Sequence, residues 1–286
     1  MIDIRLSENM KLMKSLESNS VDLIYCDILY GTGRKFKDYQ DLKPKREVIE
    51  EHYIPRIKEM HRLLKDTGSI YLQTNVKTSH WIRYILDDVF GYDNFCNEII
   101  WEFNKGGFSN TNKKYNNEYD VILYYANPKH KKTDLRMGFD SLSGKTKKDF
   151  RYSDENGVYK LINANIQNRN INKTDLTKYV KQKEQYFLKK YKHEHQGLRV
   201  CDLWLDIKHI NWQSKEKNNY QSQKPKALLE RIIKASSNEG DLVADFYGGS
   251  FTTAEVCKDL NRNFIGCDIS EKGVNIGLKR CGLNCY

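Results

Sequence analysis

A glycine turn flanked by carboxylates is the strongest local sign of a ligand site in this chain. Residues 242–257 read L-V-A-D-F-Y-G-G-S-F-T-T-A-E-V-C, so an apolar strand leads through Asp245 to a Gly-Gly turn and a helix. Glycine lets a ligand approach the backbone, and the first turn of a helix presents unpaired N–H groups. Asp268 comes 23 residues after Asp245 and ends a second apolar run, N-F-I-G-C-D. An acid in this position typically binds ribose hydroxyls, although the G-x-G-x-x-G fingerprint of dinucleotide sites is absent.

Two further polar segments follow or open apolar elements. Asp27, Ile28, Leu29 and Tyr30 come directly after the run V-D-L-I-Y-C, and the end of a central strand is where open α/β sheets hold their chemistry. The aromatic ring of Tyr30 could stack on a planar substrate. Lys224, in the string Q-K-P that opens a helical pattern, could pair with a carboxylate of a ligand. Taken singly, these features also fit a tight turn, a helix cap and a solvated lysine.

Apolar periodicity predicts the elements that would position these side chains. Short buried strands are predicted at residues 21–26, 69–73, 98–103, 121–125, 242–247 and 263–269. Helices are predicted at residues 9–16, 48–64, 81–89, 227–235 and 252–260. Strands that alternate with helices in this way indicate an α/β fold with a largely parallel sheet.

The periodicity weakens between residues 128 and 212, where lysine, asparagine and tyrosine dominate. A helix is predicted there at residues 179–191. We therefore divide the chain into a first part of the main domain at 1–127, an inserted region at 128–212 and a second part of the main domain at 213–286.

The excess positive charge is concentrated in the middle of the chain. The formal net charge is +10, from 48 lysine and arginine residues against 38 aspartate and glutamate residues. Residues 105–220 hold 24 of the basic and 13 of the acidic residues, so the rest of the chain is almost neutral. The same segment is rich in tyrosine and tryptophan, and basic residues interleaved with aromatics suit a polyanion with stackable bases. The alternative is a solvated, loosely packed insertion, which the neutral flanks disfavour.

Length and composition disfavour several classes of protein. The 286 residues are enough for one large α/β domain or for a domain with an insertion. The chain shows neither a signal-peptide pattern nor a run of roughly 20 apolar residues, so we expect a cytoplasmic protein without a membrane partner. The seven cysteines are odd in number and form no C-x-x-C pair, which favours buried thiols over disulfides or a zinc site.

Taken together, these segments resemble the S-adenosylmethionine-dependent DNA amino-methyltransferases of bacterial restriction-modification systems. Within that family they are similar to the permuted β group, whose members carry D-P-P-Y, a variable target-recognition segment, T-Q-K-P, D-P-F-x-G-S-G-T-T and F-I-G-x-D/E in that order. Here the order is D-I-L-Y, the basic insertion, S-Q-K-P, D-F-Y-G-G-S-F-T-T and F-I-G-C-D. The resemblance covers roughly residues 1–104 and 200–275.

The resemblance implies a Rossmann-like methyltransferase fold, a three-layer α/β sandwich with a basic inserted target-recognition region. It implies S-adenosylmethionine as the cofactor, with Asp268 on the ribose and Lys224 near the methionine carboxylate. The other cofactor-binding residues that it implies are Asp245, Phe246, Tyr247, Gly248, Ser250 and Thr252, with Glu8 and Asn9 on the adenine side. Asp27, Ile28, Leu29 and Tyr30 would handle the target base, without a metal. The partners implied are double-stranded DNA and, less directly, a second copy of the chain and a cognate restriction endonuclease.

Three residues depart from the pattern of the family. Ile28 and Leu29 replace both prolines of the tetrapeptide, which removes the φ angle that proline fixes but keeps the backbone carbonyl of residue 28. Phe251 replaces a glycine of G-S-G-T-T, which is unfavourable if that position requires a positive φ.

Adenine N6 is the target that the resemblance favours, because cytosine-N4 enzymes of this kind more often begin the tetrapeptide with serine. The departures keep open a catalytically weak DNA- or RNA-binding subunit that retains the fold. An unrelated nucleotide-binding enzyme is a third hypothesis, which the basic insertion disfavours.

Overall fold

A computed structural model of the chain describes residues 1–35, 39–102, 117–133, 136–137, 148–163, 178–182, 185–193, 198–211, 213–218 and 220–285. They divide into two compact units, Met1–Thr133 with Cys201–Tyr286, and Asp134–Val200. The predicted division at residues 127 and 212 concerns function rather than compactness, and it stays a prediction. No helix among the described residues has the length and apolar character needed to cross a bilayer.

An eight-stranded sheet forms the centre of the larger unit. Its strands are β1 (Ile2–Leu6), β2 (Val21–Asp27), β3 (Leu64–Thr74), β4 (Phe95–Glu102), β5 (Tyr119–Ala126), β12 (Leu203–Trp204), β13 (Leu242–Asp245) and β14 (Asn263–Asp268). The strand order is β1-β14-β13-β2-β3-β5-β4-β12. All neighbours are parallel except β5, which runs antiparallel to β3 and to β4.

Six helices accompany this sheet. They are α1 (Asn9–Ser15), α2 (Arg46–Leu63), α3 (Ser79–Phe90), α4 (Lys226–Ser236), α5 (Thr252–Asp259) and α6 (Glu271–Cys281), with a short 3-10 turn at Tyr92–Asn94. Neighbours contact each other within α1–α3 and within α4–α6, and with the sheet these two groups make the three layers of a Rossmann-like methyltransferase fold. Leu23, Ile24 and Val243 in the central strands are fully buried, as expected for parallel strands covered on both faces.

The elements predicted for this unit are confirmed, with shifts of at most five residues at their ends. Three elements of the unit were not predicted: β1, the two-residue β12 and α6. β1 has the sequence I-D-I-R-L and pairs in parallel with β14 at the edge of the sheet, so pairing completes a strand whose own apolar signal is short.

The smaller unit contains a four-stranded antiparallel sheet in the order β7-β8-β10-β9. Its strands are β7 (Tyr152–Asp154), β8 (Gly157–Asn163), β9 (Tyr179–Gln182) and β10 (Gln185–Tyr191), and β6 (Arg136–Met137) pairs separately with β11 (Leu198–Arg199). The helix predicted at residues 179–191 is therefore wrong. Its lysines, glutamate and glutamines favour a helix locally, but cross-strand pairing with β8 overrides that weak preference.

Phe251 occupies the left-handed region of backbone space, with φ 53° and ψ 39°, at the start of α5. Its ring is fully buried and meets the ring of Phe264 edge to face at 6.3 Å. Two glycines supply the room: a Cβ added to Gly248 or to Gly277 would lie 2.4 Å or 2.6 Å from atoms of the ring. Left-handed backbone costs about 1–2 kcal/mol for such a residue, whereas truncating a buried phenylalanine costs about 3–5 kcal/mol, so ring packing outweighs the strain.

We predict that Phe251→Gly lowers the free energy of unfolding by about 2–4 kcal/mol, because the cavity costs more than the relieved strain returns. Gly277→Ala alone should also destabilise the protein, since its Cβ would meet the ring at 2.6 Å. In the Phe251→Gly background the same alanine should become neutral or stabilising, as alanine exceeds glycine in a helix by about 1 kcal/mol. Urea unfolding of the four proteins measures this coupling, and additive effects of the two substitutions would contradict the packing account.

Candidate active site

Three aspartates end three neighbouring parallel strands of the central sheet. Asp268 is the last residue of β14, Asp245 of β13 and Asp27 of β2, and these strands are adjacent in the sheet order. Parallel strands bring their carboxyl ends to the same edge, so the three carboxylates meet there. They line one cavity of about 520 Å³, within the range of small-molecule sites.

The structure brings all fourteen predicted site residues to the lining of this cavity. They are Glu8, Asn9, Asp27, Ile28, Leu29, Tyr30, Lys224, Asp245, Phe246, Tyr247, Gly248, Ser250, Thr252 and Asp268. Their placement is a geometric fact, while the individual roles stay predictions.

The segment after Asp27 is held by hydrogen bonds and packing. The N–H of Ile28 donates to the carbonyl of Gln73 at 3.1 Å, a bond that proline could not make, and the Ile28 side chain is buried in the core. The carbonyl of Leu29 accepts the hydroxyl proton of Tyr53 at 3.0 Å. Both replacements of the family prolines therefore contribute contacts of their own that fix the course of this segment.

The turn beyond the tetrapeptide is organised by Asp41, which is 3% exposed. Its carboxylate accepts the backbone N–H groups of Gly31 at 3.0 Å, Thr32 at 2.7 Å and Leu42 at 2.8 Å. Multiple N–H donors satisfy a buried carboxylate and lock the turn.

Asp27 has a partner on each carboxylate oxygen. Lys224 Nζ forms an ion pair with Oδ2, and the hydroxyl of Tyr30 lies 3.0 Å from Oδ1. Lys224 Nζ also lies 5.7 Å from the centre of the Tyr30 ring. Lys224 thus reaches the catalytic tetrapeptide, in addition to the cavity wall where the resemblance places a ligand carboxylate.

Asp245 is a buried carboxylate with two donors. It accepts the N–H of Tyr247 at 3.0 Å and the hydroxyl of Thr253 at 2.7 Å. Burial raises the pKa of Asp245 to about 7, although these two hydrogen bonds oppose the shift, and the negative charges of Asp27 and Asp268 raise it further. The site can therefore change its charge near neutral pH.

Asp268 draws the glycine turn toward the end of β14. It accepts the N–H of Gly249 at 2.8 Å and that of Ser270 at 2.8 Å. Gly249 has φ 54°, a conformation that glycine adopts without the strain of a side chain. Backbone and carboxylate are in this way fixed together beside the cavity.

Glu8 and Asn9 begin α1 at another wall of the cavity. The Glu8 carboxylate accepts the N–H of Lys11 at 2.9 Å as a helix cap and pairs with Arg56 at 2.9 Å. The Asn9 amide donates to the carbonyl of Phe246 at 3.4 Å and accepts from Arg56 Nε at 2.9 Å. Both side chains are thus oriented by contacts within the protein.

Several lining residues were not predicted from the sequence. Asp120 lies at the start of β5, and Tyr25 lies within β2; Arg34, Tyr39, His52 and Tyr220 also line the cavity. Burial, followed by the charge of Arg56, lowers the pKa of His52 to about 4, so His52 is neutral at pH 7. No motif of the sequence marks these residues, because they come from segments that approach the cavity only in the folded chain.

Comparisons with known proteins agree with this geometry. A sequence model of the DNA methylase family matches residues 21–279. The chain belongs to the DNA methylase family. It is an S-adenosylmethionine-dependent DNA methyltransferase of the restriction-modification type, as the motif order implied.

Individual relatives match most of the chain. The DNA adenine methyltransferase YhdJ of Escherichia coli (strain K12) is 29% identical over 268 residues, which span 94% of this chain and 78% of that protein. The type II methyltransferase M.HpaI of Haemophilus parainfluenzae is 28% identical over 274 residues, which span 96% of this chain and 72% of that protein.

Solved structures share the fold at lower identity. The M1.HpyAVI–SAM complex superposes with a TM-score of 0.57 at 21% identity, covering 99% of this chain and 100% of that chain. The cytosine-N4-specific PvuII DNA methyltransferase gives a TM-score of 0.63 at 15% identity, covering 98% and 86%.

The pKa of Asp245 predicts a pH-dependent affinity for the cofactor. Below about pH 7 the carboxyl group is mostly neutral, and above it the cavity gains a negative charge that attracts the cationic cofactor. We expect S-adenosylmethionine to bind more tightly at about pH 8 than at about pH 6, by up to roughly tenfold. Calorimetry on wild type and on Asp245→Asn measures this, and the variant should lose the part of the dependence that Asp245 causes. Identical pH dependence in both proteins would contradict the assignment.

Proposed function

We propose that this enzyme transfers a methyl group to the exocyclic N6 of an adenine in duplex DNA. The observation that carries the proposal is the arrangement of carboxylates at one edge of the sheet. Asp27 follows the tetrapeptide strand β2, and Asp245 and Asp268 end the two strands next to it, around a single cavity. One cavity can therefore hold a planar base beside a methyl donor.

The residues present suit the cofactor. S-adenosylmethionine carries a sulfonium, an ammonium and two ribose hydroxyls, which are positive or hydrogen-donating groups, and three aspartates border the cavity. We assign Asp268 to the ribose and Lys224 to the methionine carboxylate. The wall of the site would consist of Asp245, Phe246, Tyr247, Gly248, Ser250 and Thr252, with Glu8 and Asn9 on the adenine side. When bound, the cofactor supplies an electrophilic methyl group.

The protein orients the amino group of the target base. The amino lone pair is delocalised into the ring, and the enzyme must localise it toward the methyl donor. The Asp27 carboxylate accepts one N–H and the Ile28 carbonyl accepts the other, which favours a pyramidal nitrogen by electrostatic preorganisation. A base inside a duplex is out of reach, so it must be flipped out at a cost of a few kcal/mol. Tyr30 returns about 1–3 kcal/mol by stacking.

Lys224 connects the two halves of this site. Its amine lies on Asp27, while a ligand carboxylate in the same cavity would compete for it. Transfer of Lys224 to that carboxylate would release Oδ2 of Asp27 for the base. Cofactor binding would thereby prepare the catalytic acceptor.

Adenine is favoured over cytosine by two observations. The tetrapeptide begins with Asp27 rather than with serine. YhdJ, which matches nearly the whole chain, is a DNA adenine methyltransferase, whereas the cytosine-N4-specific PvuII enzyme shares 15% identity. Cytosine N4 remains the alternative substrate.

A catalytically weak binding subunit is the second candidate function. It is favoured by the replacement of the family residues at Ile28, Leu29 and Phe251. The contacts of these residues weigh against it, because Ile28 and Leu29 are tied to the neighbouring elements and the Phe251 ring does not line the cavity.

The inserted region, residues 128–212, is proposed to recognise the DNA target between the catalytic part at 1–127 and the cofactor-binding part at 213–286. Lys160 and Lys190 are directly opposite on β8 and β10. Like charges facing each other across a sheet destabilise it, and a phosphate would relieve that repulsion. We therefore assign these two lysines to the DNA backbone.

Further partners and the location of the enzyme are proposals that rest on the family context alone. A homodimer and a cognate restriction endonuclease fit a restriction-modification system. The same context suits a cytoplasmic enzyme.

We predict that Asp27→Ala reduces methyl transfer by about 100-fold or more, because the acceptor that steers the amino lone pair is lost. Asp27→Asn keeps the shape and one acceptor oxygen but loses the charge, so its loss should be smaller. Single-turnover transfer of a labelled methyl group to DNA measures both, with cofactor binding as the control for folding. Full activity of Asp27→Ala would contradict the mechanism, and an inactive wild type that binds cofactor would favour the binding subunit.

For the DNA surface, we predict that replacing Lys160 and Lys190 with alanine weakens DNA binding and makes the logarithmic salt dependence shallower by about 1.8, or about 0.9 for each phosphate contact. Lys189→Ala is the matched control, because the Lys189 amine pairs with Asp154 at 2.6 Å. Fluorescence anisotropy at several salt concentrations gives the slopes. An unchanged slope in the double variant would refute the assignment of these lysines.

A further inference from the structure

A buried hydrogen-bond network lies behind the tetrapeptide. The Tyr30 hydroxyl is 2.6 Å from Oδ2 of Asp120, and Gln73 Nε2 donates to the same oxygen at 2.9 Å and to the Tyr30 hydroxyl oxygen at 3.2 Å. Tyr25 donates its hydroxyl proton to Oε1 of Gln73 at 2.8 Å. Tyr25, Gln73 and Asp120 are at most 5% exposed, and they belong to the adjacent strands β2, β3 and β5.

The Tyr30 hydroxyl has one proton and two carboxylates within reach. Asp120 is 2.6 Å away and Asp27 is 3.0 Å away. The bond from Tyr25 orients the Gln73 amide so that its NH₂ group faces Tyr30 and Asp120. Because Gln73 donates to the hydroxyl oxygen, the hydroxyl proton must point toward a carboxylate, and the shorter distance selects Asp120.

The direction of this bond matters for Asp27. A proton donated by Tyr30 to Oδ1 of Asp27 would compete with the N–H of a base for that oxygen. We propose that Asp120 is a positioning residue for methyl transfer: its carboxylate holds the Tyr30 proton and leaves Oδ1 of Asp27 open to the target amino group. The inference rests on the proposed role of Asp27.

The protonation of Asp120 would reverse the chain of hydrogen bonds. A neutral Asp120 donates to the Tyr30 oxygen, and Tyr30 then donates to Asp27. The groups that face Asp120 are Lys224, Tyr30, Asp27 and Gln73; burial raises the pKa of Asp120, while Lys224 and the hydrogen bonds from Tyr30 and Gln73 oppose this shift. Burial and the charges of Asp27 and Asp120 hold the pKa of Tyr30 well above its usual range, so the hydroxyl keeps its proton at neutral pH.

The test is whether Tyr30→Phe rescues a loss at Asp120. Asp120→Ala should slow single-turnover methylation by about tenfold or more, because the freed hydroxyl turns to Asp27. Asp120→Asn keeps an oxygen opposite Gln73 and should stay within a few-fold of wild type. Tyr30→Phe combined with Asp120→Ala should be several-fold faster than Asp120→Ala alone, because the competing proton is gone.

Tyr71→Phe is the matched control, since Tyr71 is a buried tyrosine of the same sheet whose hydroxyl bonds to Ser236 at 2.7 Å. It should give no rescue. A double variant no faster than Asp120→Ala, or equal rescue by Tyr71→Phe, overturns the inference while leaving the role of Asp27 intact if wild type is active. An inactive wild type overturns both.

A second measurement decides the matter if Asp120→Ala fails to fold, which cofactor binding would reveal. The acid limb of the single-turnover rate should lie at lower pH in Tyr30→Phe than in wild type, because the reversible capping of Asp27 is gone. Coincident acid limbs would overturn the proposal.

Discussion

The parallel pairing of β14, β13 and β2 is the constraint on which the site depends. Each strand ends in an aspartate, and parallel neighbours present their carboxyl ends at one edge. Three carboxylates from distant parts of the chain are thereby brought to one cavity. Their mutual repulsion and burial raise the pKa of Asp245, and a cationic ligand offsets that cost. The same feature that burdens the protein without a ligand thus suits it to a positively charged methyl donor.

The altered motifs illustrate that local geometry can be kept by different contacts. Proline fixes φ by its ring, whereas Ile28 adds a backbone hydrogen bond to Gln73 and buries its side chain. Leu29 is held through its carbonyl by Tyr53. Phe251 keeps a left-handed conformation because its ring fills space left by Gly248 and Gly277. The departures from the family pattern therefore change how the segments are supported while the carboxylates stay at the edge of the sheet.

Most of the main sheet could be predicted from the sequence because buried parallel strands are continuous apolar runs, such as V-D-L-I-Y-C before Asp27. The predicted site residues also met at one cavity, since motif order and strand ends specify it. Asp120 could not be found in this way, because it follows Tyr30 by 90 residues and only antiparallel pairing of β5 with β3 brings it near. The strands at residues 179–191 were missed because pairing with β8, rather than local composition, decides their structure. The ion pair of Lys224 with Asp27 likewise depends on the folded geometry.

The central claim is that a D-I-L-Y site at this sheet edge methylates adenine. It is tested most directly by incubating unmethylated DNA with the protein and S-adenosylmethionine, and then mapping modified bases by sequencing that distinguishes N6-methyladenine from N4-methylcytosine. The account predicts N6-methyladenine at one recurring sequence. N4-methylcytosine at a recurring sequence, or unmodified DNA in the presence of protein that binds the cofactor, would contradict it.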